Sequence, residues 1–177
     1  MTGYLYRKWT PKGNNPWDNR WSNFQSYHPI IRLADIYLIY AEATLHGYGS
    51  PTATAPGMSI TAVDAVNIIR NRAQLPDLLP RFTATKEAFM KEIIRERAVE
   101  FAFEGHRFFD LRRWNIAGNP EYLDKTAIDF DLSPDGKPIN FRERVVVRRV
   151  FEKRHNWLPF QLSDTRLYEG FPQNPGW

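Results

Sequence analysis

The chain has 177 residues, of which 42% are hydrophobic and 25% are charged, enough for one domain with a buried core and too few for two ordinary domains. Its net charge of +4 arises from 24 Lys and Arg against 20 Asp and Glu, short of the excess expected for a dedicated nucleic-acid-binding protein. The lack of cysteine excludes disulfides, thiolate zinc sites and cysteine nucleophiles, and no apolar run reaches the length of a membrane span.

Residues 1–29 are rich in aromatic and turn-forming residues and predict a loop, with a short strand at residues 4–9. Within this segment, KWTPKGNNPWDNRWSNF combines tryptophans with amides and charged groups. Sugars stack their C–H faces on exposed aromatic rings, while amides and guanidinium groups bond the hydroxyls. The candidate glycan-binding residues are therefore Trp9, Trp17, Trp21, Asn19 and Arg20. Packing of the same rings onto helices beneath them is the alternative.

A helical core is predicted for residues 30–114. The stretch IIRLADIYLIYAEATLHG is apolar on nearly every side and predicts a buried helix that stops near Gly47. Arg32, Asp35 and Glu42 interrupt this apolar surface. An unpaired buried charge is prohibitive, so these side chains predict a network of ion pairs between neighbouring helices.

Two further helices follow in the same region. Ser59 or Thr61 can cap a second helix, whose apolar residues recur at three- and four-residue spacing. A third helix can begin near Thr83 or Thr85 and is interrupted or bent at Gly105, because an interior glycine costs about 1 kcal/mol relative to alanine.

Acidic residues form a column on the third helix. Glu96, Glu100 and Glu104 follow one another at four-residue steps, so their like charges share one face and need cations nearby, which Arg107 and the second helix can supply. A metal site would require Glu-x-x-His, whereas His106 follows Glu104 by only two residues. Structural ion pairs are the favoured interpretation of this column, and no metal site is predicted.

Enzymatic function is not indicated by other motifs. Two of these carboxylates would suit a glycosidase only if a sugar lay between them, and nothing places one there. No serine lies in a G-x-S-x-G setting, and no phosphate-binding loop or dinucleotide fingerprint occurs. The sequence therefore predicts a protein that is not an enzyme and uses no cofactor.

Residues 115–177 predict a loop and hairpin region. Residues 115–140 predict a long loop, because Asn, Gly, Pro and Asp are frequent there. The alternation in FRERVVVRRVFEK predicts a half-buried strand or hairpin. Its arginines are interpreted as a solvated face rather than a nucleic-acid patch, because no aromatic residue alternates with them. A short helix at residues 163–169 and the turn-rich FPQNPGW close the chain.

Four motifs in order resemble the C-terminal half of SusD/RagB family proteins. They are YHPIIRLADIYLIYAEA, AVNIIRNRAQLPDL, EIIRERAVEFAFEGHRFFDLRRW and the final PQNPGW. The resemblance implies a mainly α fold, with tetratricopeptide-like helix pairs, a loop-rich C-terminal region and a short β hairpin. Residues 1–29, 30–114 and 115–177 would together form one partial SusD-like domain.

The same resemblance implies a function. SusD/RagB proteins are outer-membrane lipoproteins of Bacteroidota that capture oligosaccharides or other nutrients at the cell surface and pass them to a SusC-like TonB-dependent transporter. A helical-repeat scaffold that binds protein partners, without glycan affinity, is the alternative. Neither a signal segment nor a lipobox cysteine occurs in this sequence, so membrane attachment would depend on a lipid anchor absent from this chain.

The resemblance also gives FEGHRFFDLRRW the role of a fold signature, whose charged residues pair internally. The residues assigned to structural ion pairs are Arg32, Asp35, Glu42, Glu100, Glu104, Arg107, Asp110 and Arg112. Family members are usually much longer, so this chain is expected to be a fragment. Their sugar-contacting residues vary and cannot be transferred to positions of this sequence.

Overall fold

The computed structural model describes Tyr4, Lys8 and residues 29–177, and this part of the chain forms two compact units. The helical unit contains residues 29–107. The hairpin unit contains Phe108–Trp177 together with Tyr4 and Lys8.

The helical unit contains α1 (Leu33–Tyr48), α2 (Ala62–Arg72), the short α3 (Pro80–Thr83) and α4 (Lys86–Glu100). Helix α1 packs against both α2 and α4, and α3 packs against α4. The largest fully buried side chains are apolar: Leu38, Leu45, Val66, Phe89, Ile93 and Phe101. Burial of each such side chain contributes about 1.5–3 kcal/mol, so this cluster is the main source of stability in the unit.

The helix ends follow from local sequence. At α2, Asp64 N donates to Thr61 Oγ1 at 3.1 Å and Thr61 N donates to Asp64 Oδ2 at 2.8 Å, a complete capping box. At α4, Ala88 N donates to Thr85 Oγ1 at 3.1 Å. Thr61, rather than Ser59, therefore caps α2, and Thr85, rather than Thr83, caps α4. Both predicted helix starts are confirmed.

The predicted interruption at Gly105 is also confirmed. Helix α4 ends at Glu100, and α5 spans His106–Arg113. Gly105 has a φ of 84° between them, a left-handed conformation that a side chain disfavours. This turn separates the acidic column of α4 from the FFDLRRW segment.

The hairpin unit continues with α6 (Pro120–Leu123), β1 (Asp124–Leu132), β2 (Pro138–Arg148), a 3₁₀ helix (Lys153–Asn156) and α7 (Leu162–Thr165). Strands β1 and β2 pair antiparallel, and register irregularities fall between Lys125 and Thr126 and between Asp129 and Asp131. Ser133 and Lys137 close the turn, since Ser133 N donates to Lys137 O at 2.9 Å.

Two expectations for this unit were wrong. Residues 115–140 were expected to form a long loop, whereas β1 occupies their centre, because β2 supplies a pairing partner that local composition does not reveal. Strand β2 was expected to be half-buried, but all of its residues are exposed. In the described part of the chain it pairs only with β1, so neither of its faces is covered.

Cross-strand ion pairs hold the exposed hairpin together. Arg148 pairs with Asp124 at 2.6 Å, and Arg142 reaches Asp131 at 2.8 Å. The hydrogen bond from Arg142, followed by that from Asn140, lowers the pKa of Asp131 from 3.8 to about 2. Arginine–aspartate pairs thus link the strands together with the contact between Phe130 and Phe141, whose ring centres lie 6.0 Å apart.

Acidification is expected to weaken this hairpin in a defined pH range. Because the folded pKa of Asp131 is about 2 and its ordinary value is 3.8, its contribution is present above pH 3.8 and is lost as the pH falls towards 2. An NMR titration of the Asp131 carboxyl should show this low midpoint, and Arg142→Gln should raise it. An unchanged midpoint in the variant would contradict the assigned cause.

No helix among the described residues combines the length and apolar character needed to cross a membrane.

Candidate functional site

The glycan-binding candidates from the sequence, Trp9, Trp17, Trp21, Asn19 and Arg20, lie outside the described residues. The described chain offers two other groups of functional side chains: ion pairs in the helical unit and a pair of cavities in the hairpin unit.

Arg32, just before α1, is the centre of one ion-pair cluster. Its Nε and Nη2 both donate to the Glu104 carboxylate at 2.8 Å, a bidentate arrangement, and Nη1 donates to Glu100. Arg72 also donates to Glu100, at 2.7 Å. The hydrogen bond to Glu104 is the main reason why the pKa of Arg32 is raised. These carboxylates are engaged by arginines, which is a stabilising arrangement.

A second cluster joins α1 to α4. Arg97 donates to Asp35 at 2.8 Å, and both side chains are buried. The Arg97 guanidinium carbon also lies 5.1 Å from the centre of the Phe101 ring. Nearby, Arg70 pairs with Glu96 of the acidic column. The structure therefore brings four of the predicted network residues into ion pairs in this unit: Arg32, Asp35, Glu100 and Glu104.

The other predicted network residues have different surroundings. Glu42 is half-buried on α1, and Arg107 Nη1 donates to the Ile94 carbonyl at 3.3 Å. Asp110 is buried and accepts from Arg113 Nε at 2.9 Å. Arg112 differs from the expectation. Instead of a carboxylate, it contacts backbone carbonyls, because its side chain turns back along α5.

The larger cavity of the hairpin unit has a volume of about 720 Å³. It is lined by Phe108, Phe109, Arg112, Arg113, Asn115, Lys153, Asn156, Trp157, Leu158 and Asn174. Asn156 Nδ2 donates to Asn115 Oδ1 at 2.9 Å, while Asn156 Oδ1 is buried without a hydrogen-bond partner. A buried acceptor without a donor is costly, so this amide oxygen destabilises the wall of the cavity.

A smaller cavity of about 320 Å³ shares three lining residues, Arg112, Trp157 and Leu158, with the larger one. Its remaining lining residues are Arg149, Val150, Phe151, His155 and Trp177. Rings thus lie on several sides of a cationic centre. The Trp157 and Trp177 side chains are 50% and 46% exposed, respectively, so ligands in solution can reach them.

The final NPGW segment is tied back onto the residues around Trp157. Trp177 Nε1 donates to Arg154 O at 3.1 Å and to Trp157 O at 3.2 Å, and Asn174 Nδ2 donates to Leu158 O at 2.6 Å. Gly176 has a φ of 87°, and a Cβ there would lie 2.9 Å from Arg154 Cβ. Glycine therefore permits the close turn that places Trp177 beside the smaller cavity.

The described lining of these cavities offers aromatic rings, amides, cations and the imidazole of His155, and it contains no aspartate, glutamate or serine. Such a set can stack sugar rings and bond hydroxyl or anionic groups. Sequence reasoning missed Trp157, Trp177 and the three asparagines. The closing PQNPGW motif was the available signal, but it was used only as a mark of resemblance.

Comparison with known proteins gives a consistent result. The model of the SusD family matches residues 1–177. A SusD-like protein from Bacteroides ovatus is 35% identical over 85 residues, which are 48% of this chain and 13% of that protein. A solved SusD-like protein from Bacteroides fragilis is 33% identical with a TM-score of 0.65, and the match covers 84% of this chain and 25% of that one.

A further solved structure, BT4246, is 28% identical with a TM-score of 0.64, and the match covers 88% of this chain. The matched region is again 25% of that protein, so this chain spans a minor part of the relatives it matches. The predicted fold class, mainly α with tetratricopeptide-like helix pairs and a short hairpin, is confirmed by the observed elements and these neighbours.

Proposed function

This chain belongs to the SusD family, and from that premise we propose that it binds an oligosaccharide at the cell surface and passes it, chemically unchanged, to a SusC-like TonB-dependent transporter. The family is associated with nutrient binding and with the outer membrane. Attachment to that membrane through a lipid anchor outside this chain is part of the proposal.

The observation that carries the proposal is the composition of the two cavities. Exposed Trp157 and Trp177 flank the cavities, and Asn115, Asn156 and Asn174 line the larger one. Stacking surfaces beside amides are what a sugar requires, because each pyranose ring has an apolar C–H face and a rim of hydroxyls. A volume of about 720 Å³ lies within the range of small-molecule sites.

The aromatic loop in the first 29 residues is proposed as a second contact region. This loop contains Trp9, Trp17 and Trp21, and Asn19 and Arg20 lie between the last two of these tryptophans. If one of these rings stacks on the glycan, its replacement by alanine should reduce affinity while the protein remains folded. Unchanged affinity with a lost cooperative melt would assign that ring to the core.

Calorimetry with a panel of neutral and charged oligosaccharides tests the proposal. Binding of at least one panel member, with the sugar recovered intact, is the expected result. Cleaved products would indicate an enzyme. Absence of binding across the panel, with capture of a protein partner, would favour the helical-repeat scaffold instead.

Trp157→Ala is expected to weaken oligosaccharide binding by about 1–3 kcal/mol, the range found when a stacking ring is removed. The ring is half exposed and lines both cavities, so the fold should tolerate its removal. Tyr48→Ala is the matched control, since Tyr48 is a similarly exposed ring in the helical unit. Equal losses of affinity in both variants would contradict a specific role for Trp157.

A further inference from the structure

Arg112 and Arg149 differ from most arginines of the hairpin unit. Arg113, Arg142 and Arg148 each pair with an aspartate. By contrast, the hydrogen bonds of Arg112 and Arg149 within the described chain end on backbone carbonyls. Both line the smaller cavity, whose described lining contains neither aspartate nor glutamate. Two cations therefore share one cavity without an acidic side chain among its described lining residues.

Arg112 is held rigidly in this position. Nε donates to His155 O at 3.1 Å and Nη1 donates to Phe108 O at 2.9 Å. Its guanidinium carbon lies 3.5 Å from the centre of the Phe108 ring and 5.4 Å from that of Phe151. Rings and carbonyls fix the orientation of the guanidinium but do not neutralise its charge, which also faces the larger cavity.

The second guanidinium increases the local positive potential. Burial, and then the charge of Arg149, lower the pKa of Arg112. Arg149 is exposed and donates from Nη2 to Tyr122 O at 2.8 Å, which holds it in place. An anion in the cavity would be attracted to both cations, and this attraction would offset the repulsion between them.

The rest of the lining identifies the kind of molecule that carries this anion. Trp157 borders the charged centre and continues into the larger cavity, where Lys153 and three asparagines lie. An inorganic ion would use the arginines but would leave the rings and amides unused. A molecule with an acidic group on a polyhydroxylated ring would use all three kinds of group.

We propose that the hairpin unit binds an anionic saccharide, with its carboxylate or sulfate at Arg112 and Arg149 and its sugar ring on Trp157. This inference rests on the proposed glycan-binding function and specifies the ligand class. The larger cavity then receives the adjoining sugar unit, whose hydroxyls can bond with Lys153 and the asparagine amides of its lining.

Four galactose-based trimers provide the test: trigalacturonate, its methyl ester, sulfated galactotriose and neutral galactotriose. Affinity is measured by tryptophan fluorescence at low protein concentration. At least one acidic trimer should bind about 10-fold more tightly than its uncharged counterpart, because charge-assisted hydrogen bonds are roughly twice as strong as neutral ones. The preferred acid then distinguishes a carboxylate from a sulfate.

Arg149→Gln should remove most of this preference, because Arg149 is exposed and its side chain can change without disturbing the core. Arg149→Lys should retain part of it. Arg142→Gln is the control with the same change in charge, as Arg142 lies on the exposed hairpin outside both cavities. It should keep the affinity of the unmodified protein, and thermal melts should be alike for all three variants.

Equal binding of charged and uncharged trimers, or equal effects of Arg149→Gln and Arg142→Gln, would overturn the inference and leave glycan binding intact. Binding of inorganic sulfate as tightly as the sulfated trimer would overturn the saccharide assignment. If the acidic trimers do not bind while neutral oligosaccharides of the wider panel do, only the inference fails. Failure of every saccharide in both experiments rejects the proposed function as well.

Discussion

Asp35→Ala should lower the free energy of unfolding by about 3–5 kcal/mol, the usual cost of removing one partner from a buried ion pair. Arg97 and Asp35 are both buried and lie 2.8 Å apart, so the variant leaves the arginine without this carboxylate in a poorly solvated place. Urea denaturation followed by far-UV circular dichroism measures the effect.

Two further variants establish the cause. Asp129→Ala removes an aspartate from the exposed pair with Arg144 and should change stability little, because solvent screens that pair. Asp35→Leu combined with Arg97→Met should recover much of the loss, since it removes both charges and keeps the volume filled. Similar small effects for Asp35→Ala and Asp129→Ala would show that the buried pair is not important for stability.

Self-association is expected from the apolar side chains that are exposed at the start of the helical unit. Ile36 and Ile39 of α1 are 52% and 48% exposed, and Ile30, Ile31 and Leu33 just before them are more exposed. Exposed apolar side chains in this number promote association, because soluble monomers rarely expose more than a few hundred Å² of apolar surface in one patch. We expect the 177-residue chain to self-associate and to bind a hydrophobic dye at neutral pH.

Ile36→Lys combined with Ile39→Lys should suppress both dye binding and self-association while the helical signal is retained. Leu38→Lys is the contrasting variant. Leu38 lies between these two residues in the sequence but is fully buried, so its replacement by lysine should unfold the helical unit. Analytical ultracentrifugation and dye fluorescence report the outcome. A monodisperse monomer that binds no dye before any substitution would contradict this account.

The helical unit could be predicted well from sequence because its signals are local. Thr61 and Thr85 cap helices from within one turn, and Gly105 takes a left-handed conformation in the turn just before α5. The apolar spacing of α2 likewise depends only on neighbouring residues. Three of the four motifs that carry the family resemblance lie largely in this unit, which explains why it could be recognised.

The features that were missed depend on residues distant in sequence. Strand β1 forms because β2 pairs with it, and the Asn- and Asp-rich composition around it indicates only turns. Arg112 was expected to pair with an acid of the FEGHRFFDLRRW segment, whereas it contacts the His155 carbonyl and the rings of Phe108 and Phe151. The cavities likewise join residues of α5 to the closing segment, which no local pattern encodes.

The proposed function requires this protein to capture a glycan and to release it unchanged. Equilibrium dialysis of the protein against end-labelled acidic and neutral oligosaccharides, followed by mass spectrometry of the retained sugar, tests it most directly. We predict retention of at least one oligosaccharide at its original mass, and reduced retention by Trp157→Ala. Retention of none, or recovery of shortened products that depend on the protein, would contradict the claim.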